Sequence, residues 1–353
     1  MLVLTLGSLF DGISVFPLAA RLNGIEPVWA SEIMKAPVSV TKRHFPGMLH
    51  LGDITRLNGG KVPPVDIITF GSPCQNLSRI GDRQGLGGVK SSLFFQAIRI
   101  IKEMRDATGN IFPTIAVWEN VMGSLVSGNR ADYGAVLAAF TGRAVPMPAS
   151  GRWANAGMVR GAGIDLAWRL MDAQYWASPR LARRQRIFLV ADFRGRRAAE
   201  ILFKPRTVQH ITVAGGKGGN PAAQGNRGPF IETGGRIPQV RPFQMYRMRA
   251  AAVKQNHAQF IGSFGREGDP YTTILSSRAA PFAFWYEDDQ AGGCIRCLTE
   301  RETERLMGLP DGWTEFGVTG ERISPTQRQR ALGNSIALPC ACYIMAGIRE
   351  TID

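Results

Sequence analysis

Apolar residues along the chain fall in short continuous runs, and these alternate with stretches in which they recur at helical spacing. The opening run MLVLTLGSLF predicts a strand, and VFPLAARLNG after it a helix stopped at Asn23-Gly24. PVWASEI and KAPVSVTKRHF repeat the alternation, and Asp53 in LGDIT ends a third strand. In VDIITFGSP the residues Ile67, Ile68, Thr69 and Phe70 are continuous and bounded by turn residues, which predicts a strand buried on both faces. The helix SSLFFQAIRIIKEMR, the strand TIAVWENV, the helix YGAVLAAF and the strand RIFLVADF follow, and the helices LTERETERLMGL and LPCACYIMAGIRE come last. Strands alternating with helices imply an α/β fold built on a doubly wound, mostly parallel sheet. No internal repeat or coiled-coil heptad is visible.

Charge changes this picture in one region. The chain carries 42 Lys and Arg against 28 Asp and Glu, a formal net charge of +14. Between Arg194 and Arg278 there are 14 basic and 4 acidic residues, so that segment supplies +10 and the rest of the chain +4. It also holds the run AGGKGGNPAAQGNRGPFIETGGR, with Arg227, Phe230 and Arg236, and then RPFQMYRMR. A basic, glycine-rich segment dotted with aromatics points to loops that meet a phosphate backbone, against the plainer reading of a merely basic domain. The expected organisation is a catalytic domain over 1–193, a smaller, basic, loop-rich domain over 194–295, and a closing segment over 296–353 that rejoins the first domain.

The opening run lacks a basic stretch before it, is short and meets Asp11, so it reads as a strand and not as a signal peptide or membrane span. The five cysteines, Cys74, Cys294, Cys297, Cys340 and Cys342, form no evenly spaced framework. They suit a reducing compartment, so no disulfide is expected and the protein is read as cytoplasmic.

Candidate chemistry gathers where strands are expected to end, the edge of an open sheet at which ligands bind. Phe10-Asp11-Gly12 closes the first strand, Glu32 the second and Asp53 the third. Singly, such acids read as helix caps. As a set facing one crevice they outline an adenosine site, with Glu32 spaced from the glycine turn as an acid that reaches a ribose hydroxyl. Cys74, just past the fourth strand, is either a small buried hydrophobe or a nucleophile.

Five ordered motifs decide between these readings. FGSPCQNLS, WENV at Trp118 to Val121, RRQRIFLV at Arg183 to Val190, RCLTERETERLMGLPDGW and ALGNSIALP together resemble the DNA cytosine-5 methyltransferases, over nearly the whole chain except the basic segment. The resemblance implies a class I methyltransferase fold of Rossmann-like type, in which the basic segment is a target-recognition domain. It implies S-adenosylmethionine as cofactor, duplex DNA as partner, and a monomer, with or without a separately encoded restriction enzyme. Carbon 5 of cytosine is too electron-poor to attack a methyl donor, so a nucleophile must first add at carbon 6; the resemblance gives that role to Cys74. Glu119 would hydrogen-bond or protonate the ring nitrogen that gathers charge, which requires a raised pKa. Arg184 and Arg186, two apart on a strand, would share a face lining the base pocket, with Arg183 opposite. Phe10, Gly12, Ile13, Glu32, Ile33, Asp53, Ile54, Leu93, Asn334 and Ser335 would hold the cofactor.

The chain departs from the family pattern at Ser14 and Val15, where glycine is common, at Ile33, where tryptophan is frequent, and at Ala182, where a glutamine often stands. Two other readings are set aside. Cys294-x-x-Cys297 with Cys340-x-Cys342 could suggest zinc, but the second pair has the wrong spacing and lies in an apolar helix, and no histidine cluster accompanies it, so no metal is expected. A cysteine hydrolase needs a histidine partner, and His44, His50, His210 and His257 occur in no such context. An RNA cytosine methyltransferase and a catalytically silent DNA-binding protein remain as rivals, both disfavoured: the first by Pro73-Cys74-Gln75, the second by the intact catalytic set.

Overall fold

The computed structural model describes residues 3–72, 93–161, 163–176, 182–204, 241–247, 260–264, 283–288 and 292–352. An eight-stranded sheet carries the main body, in the order β3-β2-β1-β4-β5-β8-β7-β6. Its strands are β1 (Thr5–Leu9), β2 (Glu26–Ser31), β3 (Leu49–His50), β4 (Ile67–Phe70), β5 (Ile115–Val121), β6 (Ala156–Gly161), β7 (Ile164–Asp172) and β8 (Gln185–Asp192). The first five pair in parallel, and β8, β7 and β6 continue the sheet antiparallel to their neighbours. The doubly wound, mostly parallel sheet expected from the alternation is therefore present.

Period-2 alternation sends each central strand's side chains to two separate cores. Ile67, Ile115, Val117, Phe188 and Val190 join one, together with the helices α1 (Val15–Leu22), α5 (Ala198–Phe203) and α8 (Leu338–Ile352). Ile68, Phe70, Ala116, Trp118 and Leu189 join the other, covered by α3 (Leu93–Ala107) and α4 (Ala131–Thr141). A helix buried on most of its faces must be apolar all round, and α8 is: Leu338 through Met345 are all buried. It lies against α1 and α5. Gly7 in β1 has a packing reason, because a Cβ there would stand 2.2 Å from the ring of Trp29.

Three features differ from the sequence reading. The β6–β7 hairpin falls in a stretch left without elements, where Gly157, Arg160 and Gly161 weaken a strand pattern; Gly163 at φ +79° makes its turn. α5 lies beyond residue 193 yet buries Ile201 and Leu202 in the first core, so the main body runs on past that boundary. Within the basic segment a second, antiparallel sheet runs β10-β9-β11-β12, from β9 (Arg241–Arg247), β10 (Phe260–Phe264), β11 (Ala283–Asp288) and β12 (Gly292–Cys297), where loops were expected. Among the described residues no single helix is long and apolar enough to cross a membrane. The remaining helices are α2 (Lys35–His44), α6 (Glu300–Leu306) and α7 (Pro325–Asn334).

Candidate active site

Glu119 lies at the end of β5 with its carboxylate buried, and its register partner is Phe188. Two residues nearer the start of β8, Arg186 stands opposite Val121, so Glu119 and Arg186 are diagonal neighbours on one face. Arg186 Nε meets Glu119 Oε1 at 2.9 Å. Burial pushes the Glu119 pKa upward, against the pull of the two guanidinium groups of Arg186 and Arg184. Burial is the larger influence, so the net displacement is upward. Gly71 leaves room for it: a Cβ there would come within 3.0 Å of Glu119 Oε2.

The chain leaving β4 is pinned to the last residues of β5. Trp118 Nε1 donates to Ser72 Oγ, and Asn120 Nδ2 to the Ser72 carbonyl, each at 3.2 Å. Sequence patterning had no signal for this clamp beyond the identities of the two motifs. Cys74, two residues on from Ser72, lies outside the described residues, as do Cys294 and Cys297 as side chains.

Arg184 and Arg186 do not act alike. Arg184 is buried and precedes β8, its backbone N–H donating to Asp172 Oδ1 at 3.0 Å. Its guanidinium donates to the carbonyl of Gly333 at 2.9 Å and to that of Ser335. Burial and the neighbouring Arg186 lower its pKa to about 9. Arg184 therefore braces the turn between α7 and α8, where the sequence reading placed it in the wall of a base pocket. Arg183 is largely exposed, 3.9 Å from Asp172 Oδ2, on the outward side expected.

The cofactor candidates divide in the same way. Glu32, at the end of β2, takes the Gly12 N–H on Oε2 at 3.0 Å and the N–H groups of Ile33 and Met34 on Oε1 at 2.8 and 2.9 Å. It thereby fastens the turn after β1 to the turn after β2. Phe10 and Gly12 in the first turn have φ of +54° and +59°. Phe10 is half-buried against the second core, Ile13 and Ile54 are buried, and Ile33 is exposed. Leu93 begins α3. Asp53 caps the short turn of Ile54–Arg56, accepting from the backbone N–H and hydroxyl of Thr55 at 2.9 and 2.8 Å. Asn334 is exposed at the end of α7 and Ser335 buried just beyond it.

Thr41 and Trp313 escaped the sequence reading, which named Asp11 and Ser14 only as positions of the first turn. Asp11 accepts from Ser14 Oγ at 2.5 Å and from Thr41 Oγ1 at 3.2 Å, and its buried Oδ1 has no hydrogen-bond partner. Trp313 Nε1 donates to the carbonyl of Ile13 at 2.9 Å. An open turn flanked by an acid with an unused buried acceptor suits a donor that carries a positive charge, so the residues present fit S-adenosylmethionine.

Residues 4–141 match the family described as C-5 cytosine-specific DNA methylase. Type II methyltransferase M.BsuFI of Bacillus subtilis is 24% identical over 99% of this chain and 73% of its own length. A protein of Escherichia phage P1 named DNA N-6-adenine-methyltransferase is 32% identical over 53% of this chain, which spans only 28% of that relative. The crystal structure of S. pombe Dnmt2 methyltransferase superposes with a TM-score of 0.59 at 17% identity, covering 99% of each chain. That likeness concerns the fold.

Proposed function

We propose that the chain is a C-5 cytosine-specific DNA methylase, the family its residues 4–141 match, and that it methylates carbon 5 of a flipped-out cytosine in a short duplex DNA sequence. S-adenosylmethionine, when bound, supplies an activated methyl group. Phe10, Gly12, Ile13, Glu32, Ile33, Asp53, Ile54, Leu93, Asn334 and Ser335 would hold it.

The observation that supports this reading most is the Glu119–Arg186 pair at 2.9 Å, beside the Ser72 clamp from which the chain runs on to Cys74. The Cys74 thiolate adds to carbon 6 of the base, and Glu119 gives a proton to the ring nitrogen that gathers the negative charge. Carbon 5, now part of an enamine, takes the methyl group. Loss of the carbon 5 proton to a base, expulsion of the thiolate and return of the ring nitrogen's proton to Glu119 restore the ring. Arg186 orients Glu119 and keeps the site electropositive toward the substrate.

Attack at right angles to the ring requires the base to leave the stack, at a cost of a few kcal/mol. Duplex contacts must offset that cost, and the basic segment over 194–295 is assigned to them, with phosphate contacts setting affinity and a few side chains setting sequence. The enzyme would act on DNA in the cytoplasm, as a monomer, alone or within a restriction-modification pair.

DNA carrying 5-fluorocytosine in the target tests the proposal, because fluorine blocks the release step. Wild-type protein should form a complex that survives denaturation, and Cys74→Ser should not. Near-normal methylation by the serine variant would overturn the assignment.

A further inference from the structure

The turn after β1 holds a non-glycine residue, Ser14, at φ +62°, in the left-handed region. That conformation is disfavoured for any residue with a Cβ. Ser14 is fully buried, and its hydroxyl lies 2.5 Å from Asp11 Oδ2 and 2.5 Å from Thr41 Oγ1. Thr41, on α2, reaches Asp11 Oδ2 at 3.2 Å and the Gly12 carbonyl at 3.4 Å. Three oxygens thus form a closed triangle around the turn.

Hydrogens decide what the triangle is. A hydroxyl brings one hydrogen each, so Ser14 and Thr41 supply two for three contacts, and Thr41 has a further acceptor in Gly12. With Asp11 ionised, at least one oxygen pair meets without a hydrogen between them. A proton on the carboxyl completes the set. Burial acts in the same direction, with Glu32 adding a like charge, and raises the Asp11 pKa to about 7 against the pull of the hydroxyls of Ser14, Ser8 and Thr41. The groups facing Asp11 are therefore hydroxyls from β1, the turn and α2, and the carboxylate of Glu32 from the end of β2.

We propose that the Asp11–Ser14–Thr41 triangle positions the donor-binding turn, and that Asp11 holds a proton in the free protein and releases it to solvent when the cationic donor binds. Asp11 and Thr41 are positioning residues here. The triangle explains how this chain manages without the glycine common at position 14: two hydrogen bonds hold a serine where glycine needs none. The inference rests on the reading that the turn takes S-adenosylmethionine.

Calorimetric titration of the protein with S-adenosylmethionine, near pH 6.5 in buffers of different ionisation enthalpy, counts the protons. Wild type should release a fraction of one proton more than Asp11→Asn, and its affinity should rise from pH 6 toward pH 8 while that of Asp11→Asn stays flat. Ser14→Ala keeps the left-handed demand and loses both bonds that offset it, so its affinity should fall roughly five- to thirty-fold, the scale of one to two lost hydrogen bonds. Ser14→Gly should fall less. Equal proton counts for wild type and Asp11→Asn, or equal affinities for Ser14→Ala and Ser14→Gly, would overturn the proposal while leaving the donor reading intact. Absence of binding by wild type at every pH would overturn both.

Discussion

The indole N–H of Trp313 donates to the carbonyl of Ile13 at 2.9 Å, joining positions 300 residues apart. Trp313 also stacks on His44 of α2, with ring centroids 3.6 Å apart, and α2 carries Thr41 of the triangle. The closing segment thus supports the first turn from one side and its neighbouring helix from another. Trp313→Phe leaves the buried Ile13 carbonyl without its donor, a loss of about 1–3 kcal/mol. Thermal unfolding should show that destabilisation, and saturating S-adenosylmethionine should recover less of it than in wild type.

Glu119→Gln keeps the shape and can still donate a hydrogen bond, but transfers no proton. Turnover should fall by about 10² to 10⁴ with duplex affinity little changed. Unchanged single-turnover chemistry with weakened binding would make Glu119 a recognition residue instead.

Arg186 lowers the Glu119 pKa and burial raises it. Arg186→Gln should therefore move that pKa higher. A proton donor stops working as pH rises through its pKa, so the alkaline limb of the single-turnover rate should shift to higher pH in the variant. A shift to lower pH, or none, would remove Glu119 from that limb.

Asp11 also makes stability depend on pH. Its pKa is about 7 in the folded chain against 3.8 in the ordinary case, so between those values the native state holds a proton that the unfolded chain has released. This contribution is at its most favourable below about pH 4, falls as pH rises, and levels off above about pH 7. Urea unfolding at a series of pH values should show the slope in wild type and its loss in Asp11→Asn. The variant should be the more stable of the two at pH 8.

Neutralising Arg247 and Arg249 in the basic segment should weaken binding to every duplex and flatten its salt dependence. Transplanting 194–295 into a related enzyme should carry the target sequence along. A transplanted enzyme that folds and keeps its old target would place specificity elsewhere.

Much of the sheet was legible because its central strands leave a local record. Ile67 to Phe70 is a continuous apolar run, and WENV and RRQRIFLV place Glu119 and Arg186 at ends of paired strands. The antiparallel β6–β7 hairpin left a fainter record, since β6 is an exposed edge strand rich in glycine and needs few apolar residues. The contrast between Arg184 and Arg186 was also hidden. A shared strand face was read from their spacing, but Arg184 precedes the strand and bonds carbonyls of Gly333 and Ser335, partners far away in the chain. The Asp11 triangle was missed for the same reason: Thr41 sits a helix away, and only the fold reveals that its hydroxyl closes on Ser14.

The placing of α8 against α1 bears on how the chain is made. During synthesis the flank of α1 that α8 covers has no mate until the ribosome has added residues 338–352. The strands already formed must wait with apolar surface uncovered, open to chaperones and to other nascent chains. Chains stopped before Leu338 should accordingly collect in aggregates, and supplying a peptide of 338–352 in trans should bring part of them back into solution.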